Sequence, residues 1–392
     1  MLIRCSILAA ATGAALAMAA ATAVAQEYKL GVSAAITGPV ASTYAPAYEG
    51  LKVYIDRLNE RGGVNGQQVR MIYLDNRAAP PRAVADSKRL VEEEKVIGMI
   101  NISTSATYAP MVADATRTKT PLIFLGSAVC PAEVYPPKPD PYQFCSSFNL
   151  VGEDGKAMVQ YLNESSGAKK GKLGLMAMDI PISRLGVDMI EKLALQSGYE
   201  IAGKTAVPLT TADFTPFATR YKDAGATWIA HWAPLTVGVA MFSSLTKLNW
   251  VGNYLAVASP TAEADTTKFA QPNFHVMPSY TFTVEGLPVF KEIAEAAKKH
   301  GATWPADSLA VGWIGGMVIE DALKRCGRTC NAEQFRGALE GVNVDTRGIY
   351  GGPVDWSRGN HVRSAAYYKV YRWDPAQGRI VRVRDWVKIP IQ

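Results

Sequence analysis

From Tyr28 to Tyr280 the sequence alternates short apolar, β-branched runs with longer amphipathic stretches, and few folds accept that alternation. Strand-like runs cover Tyr28–Ala35, Val69–Leu74, Val96–Ile102 and Pro121–Leu125, with helical periodicity over Pro46–Arg61, Arg82–Lys95 and Ala109–Ala115 between them. After Phe148 the pattern resumes. Strands are expected at Leu173–Met178, Glu200–Val207, Trp228–Trp232, Tyr254–Ala258 and Phe274–Tyr280, and helices at Lys156–Asn163, Gly186–Gln196, Pro216–Asp223 and Val237–Leu248. Strand–helix–strand units of this kind build parallel sheets with helices on both faces. The fold class is therefore α/β, and two rounds of the pattern in 392 residues predict two doubly wound lobes across a cleft. Helices at Pro288–His300, Ser308–Arg325 and Asn331–Leu339 follow, then two β-prone runs around Asp374–Gly378 that read as a hairpin. The Pro136–Pro141 stretch is a stiff surface loop, and the hinge is placed after it, near Phe148.

The first residues belong to a different class. Arg4 is the only charge before Glu27, Ile7–Val24 is dominated by Ala and Leu, and Ala23-Val24-Ala25 supplies a small-x-small cleavage pattern. Residues 1–25 read as a signal peptide, the competing reading being a membrane anchor. Cys5 precedes the apolar run and so is not placed to carry a lipid. Loss of Arg4 takes the net charge from +6 to +5, 40 basic residues against 35 acidic, which argues against a nucleic-acid partner or a membrane surface. The exported chain keeps Cys130, Cys145, Cys326 and Cys330. An even count in an oxidising compartment predicts two disulfides, and nearest-neighbour pairing gives Cys130–Cys145 and Cys326–Cys330. Zinc is the alternative, but no histidine has finger-like spacing to these cysteines. No metal or other cofactor is expected.

The run Met99–Thr107 is the most informative for function. A buried strand delivers Ser103, Thr104, Ser105 and Thr107 directly to a helix start, where free N–H groups favour an anion. No lysine or arginine lies between Met99 and Asp114, so a carboxylate there is held by dipoles. The competing role for Ser103 or Ser105 is helix capping. Catalytic signatures are missing: no Gly-x-Ser-x-Gly, His-Glu-x-x-His, Walker or Gly-x-Gly-x-x-Gly pattern occurs, and His231, His275, His300 and His361 share no spacing. Such a chain is a binder before it is an enzyme.

Gly38-Pro39, the helix ending in Gly62-Gly63-Val64-Asn65-Gly66, Asp75-Asn76, the Ser105-Ala106-Thr107 junction and Pro121-Leu122-Ile123 occur in a telling order. In that order the mature chain resembles the branched-chain amino-acid (Leu/Ile/Val-binding-like) type of periplasmic solute-binding protein, the receptor of an ABC importer. The resemblance implies a type I periplasmic-binding fold with a three-crossing hinge. Lobe one would hold residues 27–148 with 282–353, and lobe two 149–281 with 354–392. It further implies a cleft ligand with its carboxylate at Ser105 and Thr107 and at Gly126, Ser127 and Ala128, and Tyr44 in a loop reaching over it.

The family tyrosine motif is replaced by Asp179-Ile180-Pro181-Ile182-Ser183-Arg184-Leu185-Gly186, and nothing acidic stands at Val257–Pro260. Glu263 and Asp265 follow, in what reads as a solvated turn. Arg184 offers a planar fork for a carboxylate, and Trp232 and Tyr280 fall at strand ends that line the family's cleft. The expected ligand is a small organic acid, with an aromatic carboxylate lacking an amine placed first. An amino acid is retained if Arg184 is only a loop charge and Glu263 or Asp265 serves the amine. The partners implied are permease subunits in the membrane, the location the periplasm, and the state a monomer. The alternatives are a ligand-sensing subunit on the same fold, or an exported enzyme with a site around His231 or Arg184.

Overall fold

The structure is a computed structural model describing residues 27–126, 129–146, 150–168, 170–208, 210–257 and 262–391. The expected signal peptide, Ser127, Ala128 and Phe148 lie outside the described residues. Within them, no helix is long and apolar enough to cross a membrane.

The first half gives β1 (Tyr28–Ala34), α1 (Ala41–Glu60), β2 (Val69–Asp75), α2 (Pro80–Lys88), β3 (Gly98–Ile102), α3 (Tyr108–Thr118), β4 (Leu122–Phe124) and β5 (Gln143–Cys145). Its five strands pair in the order β2-β1-β3-β4-β5, all parallel. Helices cover both faces, so strands such as β3 are buried at every position, which is why they read as continuous apolar runs.

The second half gives α4 (Val151–Ser166), β6 (Lys172–Met178), α5 (Pro181–Gln196), β7 (Glu200–Val207), α6 (Thr215–Asp223), β8 (Trp228–Trp232), α7 (Leu235–Lys247), β9 (Asn253–Val257), α8 (Ala262–Phe269) and β10 (Phe274–Met277). Then come α9 (Pro288–Lys299), α10 (Ala306–Cys326), α11 (Ala332–Leu339), the short pair β11 (Asn343–Val344) and β12 (Val354–Asp355), and the hairpin β13 (Ala365–Asp374) and β14 (Arg379–Pro390). The second sheet has the order β14-β13-β10-β9-β8-β6-β7, with only the hairpin antiparallel.

Helix α10 returns to the first sheet and lies parallel to α1 at very short range. A Cβ on Gly50 would fall 2.1 Å from the Leu309 carbonyl oxygen, and one on Gly312 would fall 1.9 Å from that of Ala47. The two helices therefore share an N-terminal end, which carries Tyr44 on one and Asp307 on the other.

Three segments pass between the sheets. The first follows β5. The second, between β10 and α9, is pinned to the second lobe: Glu263 accepts from the Thr283 hydroxyl at 2.7 Å and the Val284 N–H at 3.0 Å, and Glu285 accepts from Lys369 Nζ at 2.7 Å and from the Tyr371 hydroxyl. The third follows β12. Before crossing, this segment runs along the first sheet: Trp356 Nε1 donates to the Cys145 carbonyl at 3.2 Å, and the Cys145 N–H donates to the His361 carbonyl at 2.8 Å.

Several boundaries differ from the sequence reading. Helix α1 starts at Ala41 rather than Pro46, because packing buries Tyr44, Ala45 and Ala47 and outweighs the usual place of proline near a helix start. Strand β10 ends at Met277 rather than Tyr280, since Pro278 has no N–H to continue the ladder. Residues Glu263 and Asp265 lie in α8, a helix the sequence reading did not include, and Glu263 is buried at 7% exposure.

Candidate functional site

In a doubly wound sheet, ligands collect beyond the carboxyl ends of the strands, where loops lead into helix N-termini. On the first lobe those ends are tied together by polar side chains. Asp86 Oδ2 accepts from the Ser33 hydroxyl at 2.7 Å, Ser33 accepts from Asn76 Nδ2 at 2.9 Å, and Asn76 Oδ1 accepts from the Ser103 hydroxyl at 2.9 Å. Asn101 Oδ1 accepts the Ser103 N–H at 3.1 Å, and Asn101 Nδ2 donates to Thr107 Oγ1 at 3.0 Å. Asp75 collects the N–H groups of Ile36, Thr37 and Arg77 on one oxygen and the Thr37 hydroxyl on the other. Burial pushes the Asp75 carboxyl up, but hydrogen bonds from the Thr37 side chain and from the Thr37, Arg77 and Ile36 N–H groups hold it below the ordinary range. The loops after β1, β2 and β3 are thus one rigid unit.

The two hydroxyls singled out in the sequence separate. Thr107 is buried and committed, its hydroxyl donating to the Thr104 carbonyl at 2.7 Å. Ser105 is exposed at the start of a one-turn 3-10 helix, Ser105–Thr107, that leads into α3. Thr104 precedes it and does not cap it. Ser105 and Ala106 therefore present a hydroxyl and first-turn N–H groups to the outside of the junction.

Gly126 lies two residues beyond β4 at φ +60°, where a Cβ would lie 2.7 Å from Ala47 Cβ and 3.3 Å from Val311 Cγ1. Only glycine fits that turn. Tyr44 corrects its expected place. It occupies the first turn of α1 at 5% exposure rather than a free loop, and its phenol is pushed up by burial and then by Tyr108.

On the second lobe Arg184 is a helix residue, in α5, rather than part of a loop. Its guanidinium clasps Asp179, through Nε to Oδ1 at 2.7 Å and a second nitrogen to the same oxygen. With the arginine side chain 56% exposed, this is a rim ion pair. Trp232 is buried and its Nε1 donates to Asp154 Oδ2 at 3.1 Å, while Gly186 packs directly on its ring. Asp154 Oδ1 accepts from the Tyr368 hydroxyl at 2.6 Å, and burial drives this carboxyl up to about 7. Tyr280 is buried in the second crossing, and its phenol is raised by burial and then by Asp307, Glu263 and Asp265. Glu263 is no solvated charge, since it caps the crossing at Thr283 and Val284. His231 is a core residue under Gly238 with both ring nitrogens unpartnered, and burial lowers its pKa to about 3.

The disulfides are those expected, Cys130–Cys145 with Cα atoms 5.6 Å apart and Cys326–Cys330 at 5.4 Å. Among the described residues no group of His, Cys, Asp or Glu is arranged to hold a metal ion. Sequence reasoning passed over Asp154 and Asp307. Each stands in the first turn of a helix, where an acid reads as a dipole partner, and nothing in the local pattern announces its burial.

A family model described as periplasmic binding protein matches residues 27–379. The Leu/Ile/Val-binding protein homolog 7 of Brucella suis biovar 1 is 22% identical over 345 residues, 84% of this chain and 84% of its own length. A branched-chain amino acid ABC transporter protein from Thermus thermophilus with bound valine superposes with a TM-score of 0.79 at 19% identity, covering 92% of this chain and 96% of that one. The solute-binding protein of an ABC transporter from Rhodopseudomonas palustris BisB5, in complex with 3,4-dihydroxybenzoic acid, gives 0.76 at 18% identity over 93% and 98%. At such identities the likeness to the solved structures is one of fold.

Proposed function

Because the chain belongs to the periplasmic binding protein family, we propose that it captures a small carboxylate-bearing solute between its lobes and delivers it to permease subunits in the membrane. Family members are solute-binding proteins of ABC transporters that take amino acids or other small ligands, and this chain is one of them. The family works in the periplasm. The finer reading rests on one observation: Ser105 and Ala106 are exposed in the β3–α3 junction, uncapped by Thr104, beside Ser103 and Thr107 whose hydroxyls are already committed. Neutral dipoles of this kind bind a carboxylate without a fixed cation. In this reading lobe one holds residues 27–148 with 282–353, and the stretch beyond it through Trp356 and His361 still packs on the first sheet. Ligand contacts to both lobes then favour the closed state.

An aromatic acid is the second reading, favoured by the rings of Trp232, at the end of β8, and Tyr280, just beyond β10. The R. palustris protein of the same fold was crystallised with such an acid. Arg184 lends it no support, being engaged by Asp179.

A thermal-shift screen of amino acids and aromatic acids, followed by calorimetry, tests the proposal, because a receptor is stabilised by its own ligand. Ser105→Ala is expected to weaken the best carboxylate by about 1.5–3 kcal/mol, as for a hydrogen bond to a charged group, with the melting temperature of the free protein unchanged. Unchanged affinity with a lower melting temperature would make Ser105 a helix cap and overturn the assignment.

A further inference from the structure

A cavity of about 390 Å³ lies at the C-terminal halves of α1 and α10, lined also by Glu292 of α9 and by the segment from Asn343 to Arg347. Arg57, which lines it, is 13 residues beyond Tyr44 on α1, about 20 Å along the helix axis. The cavity is therefore separate from the strand ends that face the other lobe.

Its charged groups are held in place. One Glu292 oxygen lies 2.6 Å from an Arg57 nitrogen and the other pairs with Arg347, with the Arg57 and Glu292 side chains only 27% and 25% exposed. The Arg57 guanidinium also sits 5.5 Å over the Trp313 ring, which Tyr54 meets edge-on. Glu320 pairs with Lys324 Nζ at 2.6 Å on one oxygen and accepts the Tyr54 hydroxyl on the other, while Asp321 pairs with Arg325 at 2.8 Å. Arg61, just past the end of α1, is exposed and its side chain forms no ion pair among the described residues. It still acts on the cavity: burial raises the Tyr54 phenol, Glu320 adds to the rise, and Arg61 and Arg57 oppose it.

Donors are left over. With Arg325 counted, the five cations Arg57, Arg61, Lys324, Arg325 and Arg347 meet the four carboxylates Glu292, Glu320, Asp321 and Asp345, an excess of one positive charge. The oxygens of Glu292, Glu320 and Asp321 are spent on the pairs above. Asp345 alone keeps an unengaged oxygen, on an exposed residue whose Oδ1 accepts the Arg347 N–H. The Arg61 fork and the remaining N–H groups of Arg57 and Arg347 have no such acceptor, and neither has the buried Trp313 Nε1. Helix dipoles favour Arg57, Arg61 and Lys324 at these helix ends, but Arg347 comes from the loop after β11 and owes nothing to a helix. Two guanidiniums fixed around one carboxylate, with a third free beside them, suit the paired oxygens of a second anion. The volume is that of a small-molecule site. We propose that this cavity is a second binding site on the first lobe, taking a small oxyanion through its carboxylate or phosphate group, independently of the solute in the cleft.

The test titrates the full mature protein by calorimetry with inorganic phosphate and, separately, with citrate, at constant physiological ionic strength balanced by chloride. One saturable site per chain is expected for at least one of the two, and the tighter probe tells phosphate from carboxylate. Arg61→Gln should weaken that site at least about tenfold, as for a lost hydrogen bond to a charged group, with the melting temperature of the free protein unchanged. Should Arg61→Gln melt lower, Arg61→Lys, which keeps the charge and loses the planar fork, is expected to weaken binding as well, though less. Ser105→Ala, in the cleft, should leave the site within about twofold. No saturable binding of either anion, binding that survives both Arg61 variants, or binding lost in Ser105→Ala each overturns the assignment, the last by placing the anion in the cleft.

Discussion

Replacing Asp154 by asparagine should make the protein's stability less sensitive to pH, in a direction opposite to that usual for a paired carboxylate. Asp154 sits in the first turn of α4, just past the first crossing, and accepts from Trp232 Nε1 and the Tyr368 hydroxyl. Burial raises its carboxyl from 3.8 to about 7, against those two hydrogen bonds and the Leu150 N–H, and the charge of Glu153 adds to the rise. A carboxyl with a raised folded pKa holds its proton in the folded chain while the unfolded chain has released it. Stability is therefore greatest below 3.8 and is lost as pH rises towards 7. The full loss is of the order of 4 kcal/mol, from 1.36 kcal/mol per pH unit over this window. Urea unfolding of the ligand-free protein between pH 5 and pH 8 captures the upper two pH units of that window, about 3 kcal/mol, and the wild type is best read as a difference from Asp154→Asn. His275, which burial lowers to about 4, titrates with the opposite sign but cancels in that difference. The wild type should lose stability relative to the variant across the range, flattening above pH 7. A flat difference, or a wild type that gains on the variant with rising pH, would refute the burial argument.

Two further predictions concern the frame. Replacing both Cys130 and Cys145 by serine opens a 15-residue loop and should cost about 3 kcal/mol, against about 2 kcal/mol for the short Cys326–Cys330 loop. The first pair should also loosen ligand binding through Gly126. Peptide mapping without reduction checks the pairing, and melting temperatures check the order. Gly312→Ala places a methyl 1.9 Å from the Ala47 carbonyl oxygen and must push α10 off α1, for about 1–3 kcal/mol by overpacking. A melting temperature equal to the wild type's would show that the helices have slack.

Much of the site's framework was legible in the chain. The Met99–Thr107 run is a buried strand followed by a helical turn, because β-branched apolar residues followed by small hydroxyl residues dictate that locally. Which hydroxyl stays free was not legible. Thr107 lies over Asn101 and the Thr104 carbonyl, and its proton is taken, whereas Ser105 on the same turn faces out. Spacing alone does not tell the two apart, since both lie within one turn. Arg184 and Glu263 illustrate the same limit. Each looked like a free charge in a loop, and folding supplied Asp179 to one and the Thr283 crossing to the other, across separations of 5 and 20 residues.

The sequence by itself determined the α/β class, the twofold occurrence of the strand–helix pattern, and the cysteine pairing by proximity. All of these depend on periodicity and near-neighbour chemistry, which extend over a few residues. Tertiary structure alone decided which acids are buried. Asp154 meets Tyr368 across 214 residues, and Asp307 is buried at the start of α10, which Gly50 and Gly312 let lie against α1. A carboxylate's burial depends on what the rest of the chain places around it. That sum over distant segments is absent from any local pattern.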